Sequence, residues 1–158
     1  MNKKVWWKGF FWSINLLFLA ILLGFSGVAS ATTMNAENLD TLAAGETIEG
    51  PGFFAGNVVK VDGNVEGTTF VSGQDVRING NINGDLFVAA QSITINGTVI
   101  GNIYGAGQAL TFDGQSESDV FFAGQNIAIG QAASVGRDIF VAGATILQEG
   151  VIQRNLFG

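Results

Sequence analysis

Along residues 46–158 apolar and polar residues alternate in short bursts, and the pattern restarts every 17 positions. Four copies follow one another without a gap: 63–79 (GNVEGTTFVSGQDVRIN), 80–96 (GNINGDLFVAAQSITIN), 97–113 (GTVIGNIYGAGQALTFD) and 114–130 (GQSESDVFFAGQNIAIG). The register runs back to Glu46, forward through a looser 19-residue copy at 131–149, and into a last copy at 150–158. Stacked, the copies form aliphatic columns: Ile48, Val65, Ile82, Val99; then Val59, Val76, Ile93, Leu110, Ile127, Ile146; then Val61, Ile78, Ile95, Phe112, Ile129. A period this short, rich in β-branched residues and glycine, predicts an all-β solenoid. The predicted fold is a single-stranded parallel β-helix of about six rungs, right-handed because parallel crossovers nearly always are.

Three glycine corners per copy predict three short strands per rung. The first is Gly63, Gly80, Gly97, Gly114 and Gly150, and in four of these the preceding residue is Asp or Asn. Asp-Gly and Asn-Gly steps suit tight turns with positive φ. The second corner is Gly50, Gly67, Gly84 and Gly101; the third is Gly56, Gly73, Gly107, Gly124 and Gly143. A Gln column follows the third corner (Gln74, Gln91, Gln108, Gln125) and is expected to form an amide ladder from rung to rung.

One aromatic stands in every copy: Phe53, Phe70, Phe87, Tyr104, Phe121, Phe140 and Phe157. Its neighbours are also apolar, so alternation leaves two orientations open. Pointing inward, the rings are ordinary core, with Ala55, Ala89, Ala106, Ala123 and Ala142 two places later. Pointing outward, they form an apolar stripe that a partner or another stretch of chain should cover.

The first 31 residues follow a different pattern. Lys3, Lys4 and Lys8 precede an apolar run at 9–24, and Ala29 and Ala31 are the small residues a signal peptidase reads, with Thr32 next. This order describes a secretory signal with cleavage after Ala31; an uncleaved membrane anchor is the alternative. The run is shorter than the roughly 20 apolar residues of a spanning helix. Residues 32–45 are a linker or an N-terminal cap, in which Met34, Leu39 and Leu42 could cover the first rung. At 158 the last copy is unfinished, and a longer parent chain or pairing with another copy is expected there.

Charge and residue types narrow the function. The chain carries −6; the leader holds three of the seven basic residues and none of the 13 acidic ones, which leaves 4 against 13, or −9, after cleavage. A field of that sign disfavours nucleic acid as a partner. With no histidine and no cysteine, the usual acid–base and nucleophile constellations cannot be assembled, and no enzyme activity or cofactor is expected. Two stacked carboxylate pairs, Glu49 with Glu66 and Asp119 with Asp138, have the residue types of a glycosidase site. Asp119 and Asp138 share a column with Asp85, Asn102 and Asn155, and turn formation accounts for that composition. The paired-glycine calcium repeat is absent, so no metal site is expected.

The stretch FVAAQSITINGTVIGNIYGAGQALTFDG, with its glycine, Asp or Asn, aliphatic, aromatic step and its Gly-Gln followed by alternating aliphatics, resembles the bactofilins, the polymer-forming cytoskeletal proteins. The likeness covers about residues 46–158, and the 17-residue length separates it from the left-handed hexapeptide acyltransferases. The resemblance implies a right-handed β-helix that polymerises end to end without nucleotide and serves as a bacterial scaffold. Typical bactofilins are cytoplasmic, whereas the leader makes this chain look more like exported, membrane-associated relatives. The expectation is therefore a self-associating structural protein at or outside the cytoplasmic membrane, with itself as partner and cell-wall or membrane proteins as further ones. The alternative is a surface binding module for a wall polysaccharide or a partner protein.

Overall fold

The computed structural model describes residues 40–158. Their strands, in chain order, are β1 (Thr41–Leu42), β2 (Thr47–Glu49), β3 (Gly52–Val61), β4 (Asn64–Glu66), β5 (Thr69–Ile78), β6 (Leu86–Ile95), β7 (Thr98–Val99), β8 (Ile103–Phe112), β9 (Gln115–Ser116), β10 (Val120–Ile129), β11 (Ser134–Val135), β12 (Ile139–Gln148), β13 (Val151–Ile152) and β14 (Leu156–Phe157). All pairings are parallel, and one eight-stranded sheet runs β1-β3-β5-β6-β8-β10-β12-β14. The short strands stack as β2-β4 and as β7-β9-β11-β13, and Ile82 links the two sets through bridges to Val65 and Val99. The result is a parallel β-solenoid of about seven turns with repeats of about 17 residues. Like residues sit on like: Phe70 on Phe87, Val76 on Ile93 and Ile78 on Ile95.

The core is the set of aliphatic columns, except at the far end of β12, where Ile146 is exposed. Val59, Val76, Ile78, Ile82, Ile95, Val99, Ile103 and Ile139 are fully buried or nearly so. Burial of each such side chain stabilises by about 1.5–3 kcal/mol relative to exposure, and strand pairing satisfies the backbone polar groups. One variation shows how tightly the columns are filled. At Gly105 a Cβ would come within 2.8 Å of Phe122 and 3.0 Å of Leu110, so the missing side chain makes room for the Phe122 ring. That ring packs edge-on against Phe112, with centroids 5.8 Å apart.

Two expectations about the corners are corrected. The third corner does not end a strand: Gly73 lies inside the ten-residue β5, and its equivalents lie inside the other long strands. The strand bends there instead. In β5 the inward residues are Val71, Val76 and Ile78, and the five-residue step from Val71 to Val76 breaks the two-residue alternation of a flat strand. Each long strand is thus two arms with opposite phase, and each rung has one bent strand and one short one.

The first-corner glycines do not adopt positive φ; among the described residues only Gly45 (φ 87°) and Gly50 (φ 107°) do. They are glycines because the backbone of the rung below leaves no room. A Cβ on Gly80 would collide with the Gly63 carbonyl oxygen, one on Gly97 with that of Gly80, and one on Gly114 with that of Gly97. Each of these glycines is itself fixed to the rung before it, through N–H bonds from Gly63 to Leu42, Gly80 to Val61 and Gly97 to Ile78, so the carbonyl cannot easily move aside.

The pairing reaches back to β1, where Leu42 is buried and lies in register with Val61. Leu42 therefore serves as core at the first turn. Met34, Leu39 and the leader, including Ala29, Ala31 and Thr32, lie outside the described residues.

Candidate functional site

The aromatic column points outward. Phe53, Phe70, Phe87, Tyr104, Phe140 and Phe157 are 36–49% exposed, and Phe121 is half-buried. From Phe53 to Phe140 each ring occupies the outward position of its arm, between two buried ones: Leu86 and Val88 flank Phe87, and Ile139 and Val141 flank Phe140. Ala55, Ala89, Ala106, Ala123 and Ala142 are outward and exposed too, with Ser72 in the same column. They do not join the core. They form a shallow furrow beside the ridge of rings.

The ridge is a continuous stack. Successive ring centroids lie 5.2, 5.1, 4.7, 5.0, 4.9 and 4.9 Å apart, and no two neighbouring planes differ by more than 11°. The strand spacing dictates this, because residues in register are held about 4.8 Å apart. Stacking at this distance uses both faces of every interior ring. What each presents to solvent is its edge, while sugars and bases stack on aromatic faces. Two adjoining concavities, one from Phe53 to Tyr104 and one from Tyr104 to Phe157, follow the ridge and furrow along the whole sheet.

The polar columns are occupied with holding rungs together. Asp85, Asn102, Asp119 and Asp138 each accept the backbone N–H of the column residue one rung on, at 2.7, 3.2, 3.0 and 3.1 Å. Arg137 lies 3.5 Å from Asp119 and Arg154 lies 3.8 Å from Asp138. A carboxylate held this way by one backbone donor and one guanidinium is a rung tie. At the first corner, the Asn79 amide donates to Asp62 at 2.6 Å and the Asn96 amide to Asn79 at 2.8 Å. Glu49 and Glu66 are in register, and Glu66 accepts from Asn83 at 2.8 Å. The expected Gln ladder is short: Gln74 donates to Gln91 at 3.4 Å, and among the described residues no further pair of that column is bonded. No cluster of three or more metal-ligating side chains occurs among the described residues.

Sequence reasoning assigned the Asp and Asn columns to turns and missed that they clamp one rung to the next. The signal was present in their 17-residue recurrence, which places each side chain directly over the next corner's N–H. It also treated the alanines only as companions of buried rings. No family model, curated protein or solved structure matches the chain.

Proposed function

We propose that this chain is a non-enzymatic structural scaffold that self-associates through its solenoid rungs, in the manner of the bactofilins it resembles, at or outside the cytoplasmic membrane. The solenoid fold is compatible with a structural or self-associating role. The observation that carries the reading is the register: every rung pairs with the next through backbone bonds and like-on-like columns, as Val76 on Ile93 and Thr94 on Thr111. A rung of one copy therefore meets a rung of another as it meets its own neighbour. Among the stacked carboxylates, Glu66, Asp119 and Asp138 support the same reading, since each is engaged in a tie between rungs. The polysaccharide-binding alternative would need exposed ring faces, and the interior rings spend theirs on one another.

Negative-stain electron microscopy of residues 32–158 across a concentration series tests this. Filaments with a repeat along the solenoid axis are expected, lengthening as concentration rises. Short rods of constant length at every concentration would overturn end-to-end assembly.

A further inference from the structure

The outward surface of the aromatic arm has one ridge and one furrow. In each long strand the two are separated by two positions, as Phe87 and Ala89 are in β6, so they run side by side at roughly 7 Å. Each ring plane stays within 11° of its neighbour's, so the ridge is continuous from rung to rung. No ridge or furrow position carries a charge, although the chain as a whole carries −6. Two copies that repel one another over the rest of their surface can meet here without opposing like charges.

This profile complements itself in one orientation. Two copies meeting face to face are related by a two-fold axis lying in the plane of contact. With the axis across the solenoid the copies run antiparallel, ridge meets ridge and furrow meets furrow, and a void is left over the alanines. Rings already stacked at about 5 Å leave no gap for opposing rings to enter. With the axis along the solenoid the copies run parallel, and the partner's lateral order is reversed. Each ridge then drops into the facing furrow, rung against the same rung.

The available area suits a stable contact. Aromatic side chains that bury roughly 200 Å² each when fully covered, left 36–49% exposed at six of the seven positions, offer roughly 500–600 Å² along the ridge. The alanine column brings this close to the roughly 800 Å² that one partner gives to a standard interface. A continuous apolar patch above a few hundred Å² marks an interaction surface.

We propose that the aromatic arm binds a second copy of this chain, forming a parallel, in-register dimer in which each phenylalanine ridge fills the partner's alanine furrow. This goes beyond end-to-end assembly, because the lateral contact uses no strand edge and forms whether or not rungs of different copies join.

The chain contains no cysteine, so an introduced thiol is unique. Ala55→Cys, Ala106→Cys and Ala142→Cys place one near each end and one at the middle of the furrow. The full chain, in the cells that produce it, is treated with a short bismaleimide and resolved by denaturing electrophoresis. Every one of the three is expected to give a cross-linked dimer. Adding Phe87→Glu to the Ala106→Cys chain is expected to abolish it, since each copy would bring an unpaired carboxylate into the apolar contact.

A dimer from Ala106→Cys alone would mean antiparallel packing, with end thiols roughly 20–30 Å apart, and would overturn the proposal. No dimer, with thiols open to a bulky maleimide, would show an uncovered face. No dimer, with thiols shielded, would show a different occupant, such as residues 9–24 or another protein. Either result overturns the second copy as partner. Filament length of the Phe87→Glu chain reports separately on end-to-end assembly, so the two readings fail independently.

Discussion

Two corners of each rung do the same job with opposite chemistry. At the glycine corner the rungs approach so closely that a side chain is excluded: a Cβ on Gly97 would strike the Gly80 carbonyl oxygen. At the Asp/Asn corner a side chain is used as the bridge, with Asp85 holding the Asn102 N–H at 2.7 Å. The glycine that precedes it at Gly84 and Gly101, although as tightly placed, gives way to Ser118, Arg137 and Arg154 in later rungs. The chain carries its own control for the first corner. Once, over a described rung, a residue with a Cβ takes the glycine position: Ala133 over Gly114, as the bond from Ser134 N–H to Gly114 shows. There the corner contains two additional residues, 131–132, closed by a backbone bond of 3.1 Å from Ala133 to Gly130. Relieving the close approach takes extra chain, which means that the 17-residue period and the glycine are one constraint.

The sharpest way to break the comparison is Gly97→Ala. The obstacle is backbone held in a ladder, so a loss of about 3 kcal/mol is expected, measured as a lowered thermal midpoint. Inserting Gln-Ala between Asn96 and the new alanine, in imitation of residues 131–132, should recover most of that loss. If the insertion recovers nothing, the glycine is required for another reason. At the bridged corner the expected cost is smaller. Asp119→Ala leaves the Asp138 N–H without its acceptor and should cost about 1–2 kcal/mol, whereas Asp119→Asn keeps an acceptor, as Asn102 does naturally, and should stay near wild type in the same melt. Equal losses for the two variants would show that the Arg137 ion pair is what matters. The smallest change is expected from Asn96→Ala, about 0.5 kcal/mol, because its 2.8 Å bond to Asn79 lies in reach of water that can replace it.

The stack itself was legible from the chain because in a solenoid one repeat in sequence is one step in space. The columns of Val65, Ile82 and Val99, or of Val61, Ile78 and Ile95, are buried as the pattern requires. The aromatic column was not legible in the same way. Phe87 sits between Leu86 and Val88, and the alternation that would assign it is interrupted by the bend at Ala90 and Gln91, where the inward phase slips by one. Phase cannot be carried from the aliphatic arm, where Ile93 and Ile95 are plainly inward, back across that bend. Nor could spacing reveal that the glycines avoid a collision instead of adopting positive φ, since both requirements select the same residue.

The sequence by itself determined the period, the all-β class, the stacked core and the column to which every residue belongs, because those follow from repetition and from the strand spacing. Only the tertiary structure decided which way the aromatic column faces and how near successive corners come. Those depend on where the strand bends and on the distance between backbones that are 17 residues apart, and neither is a property of any local stretch of chain.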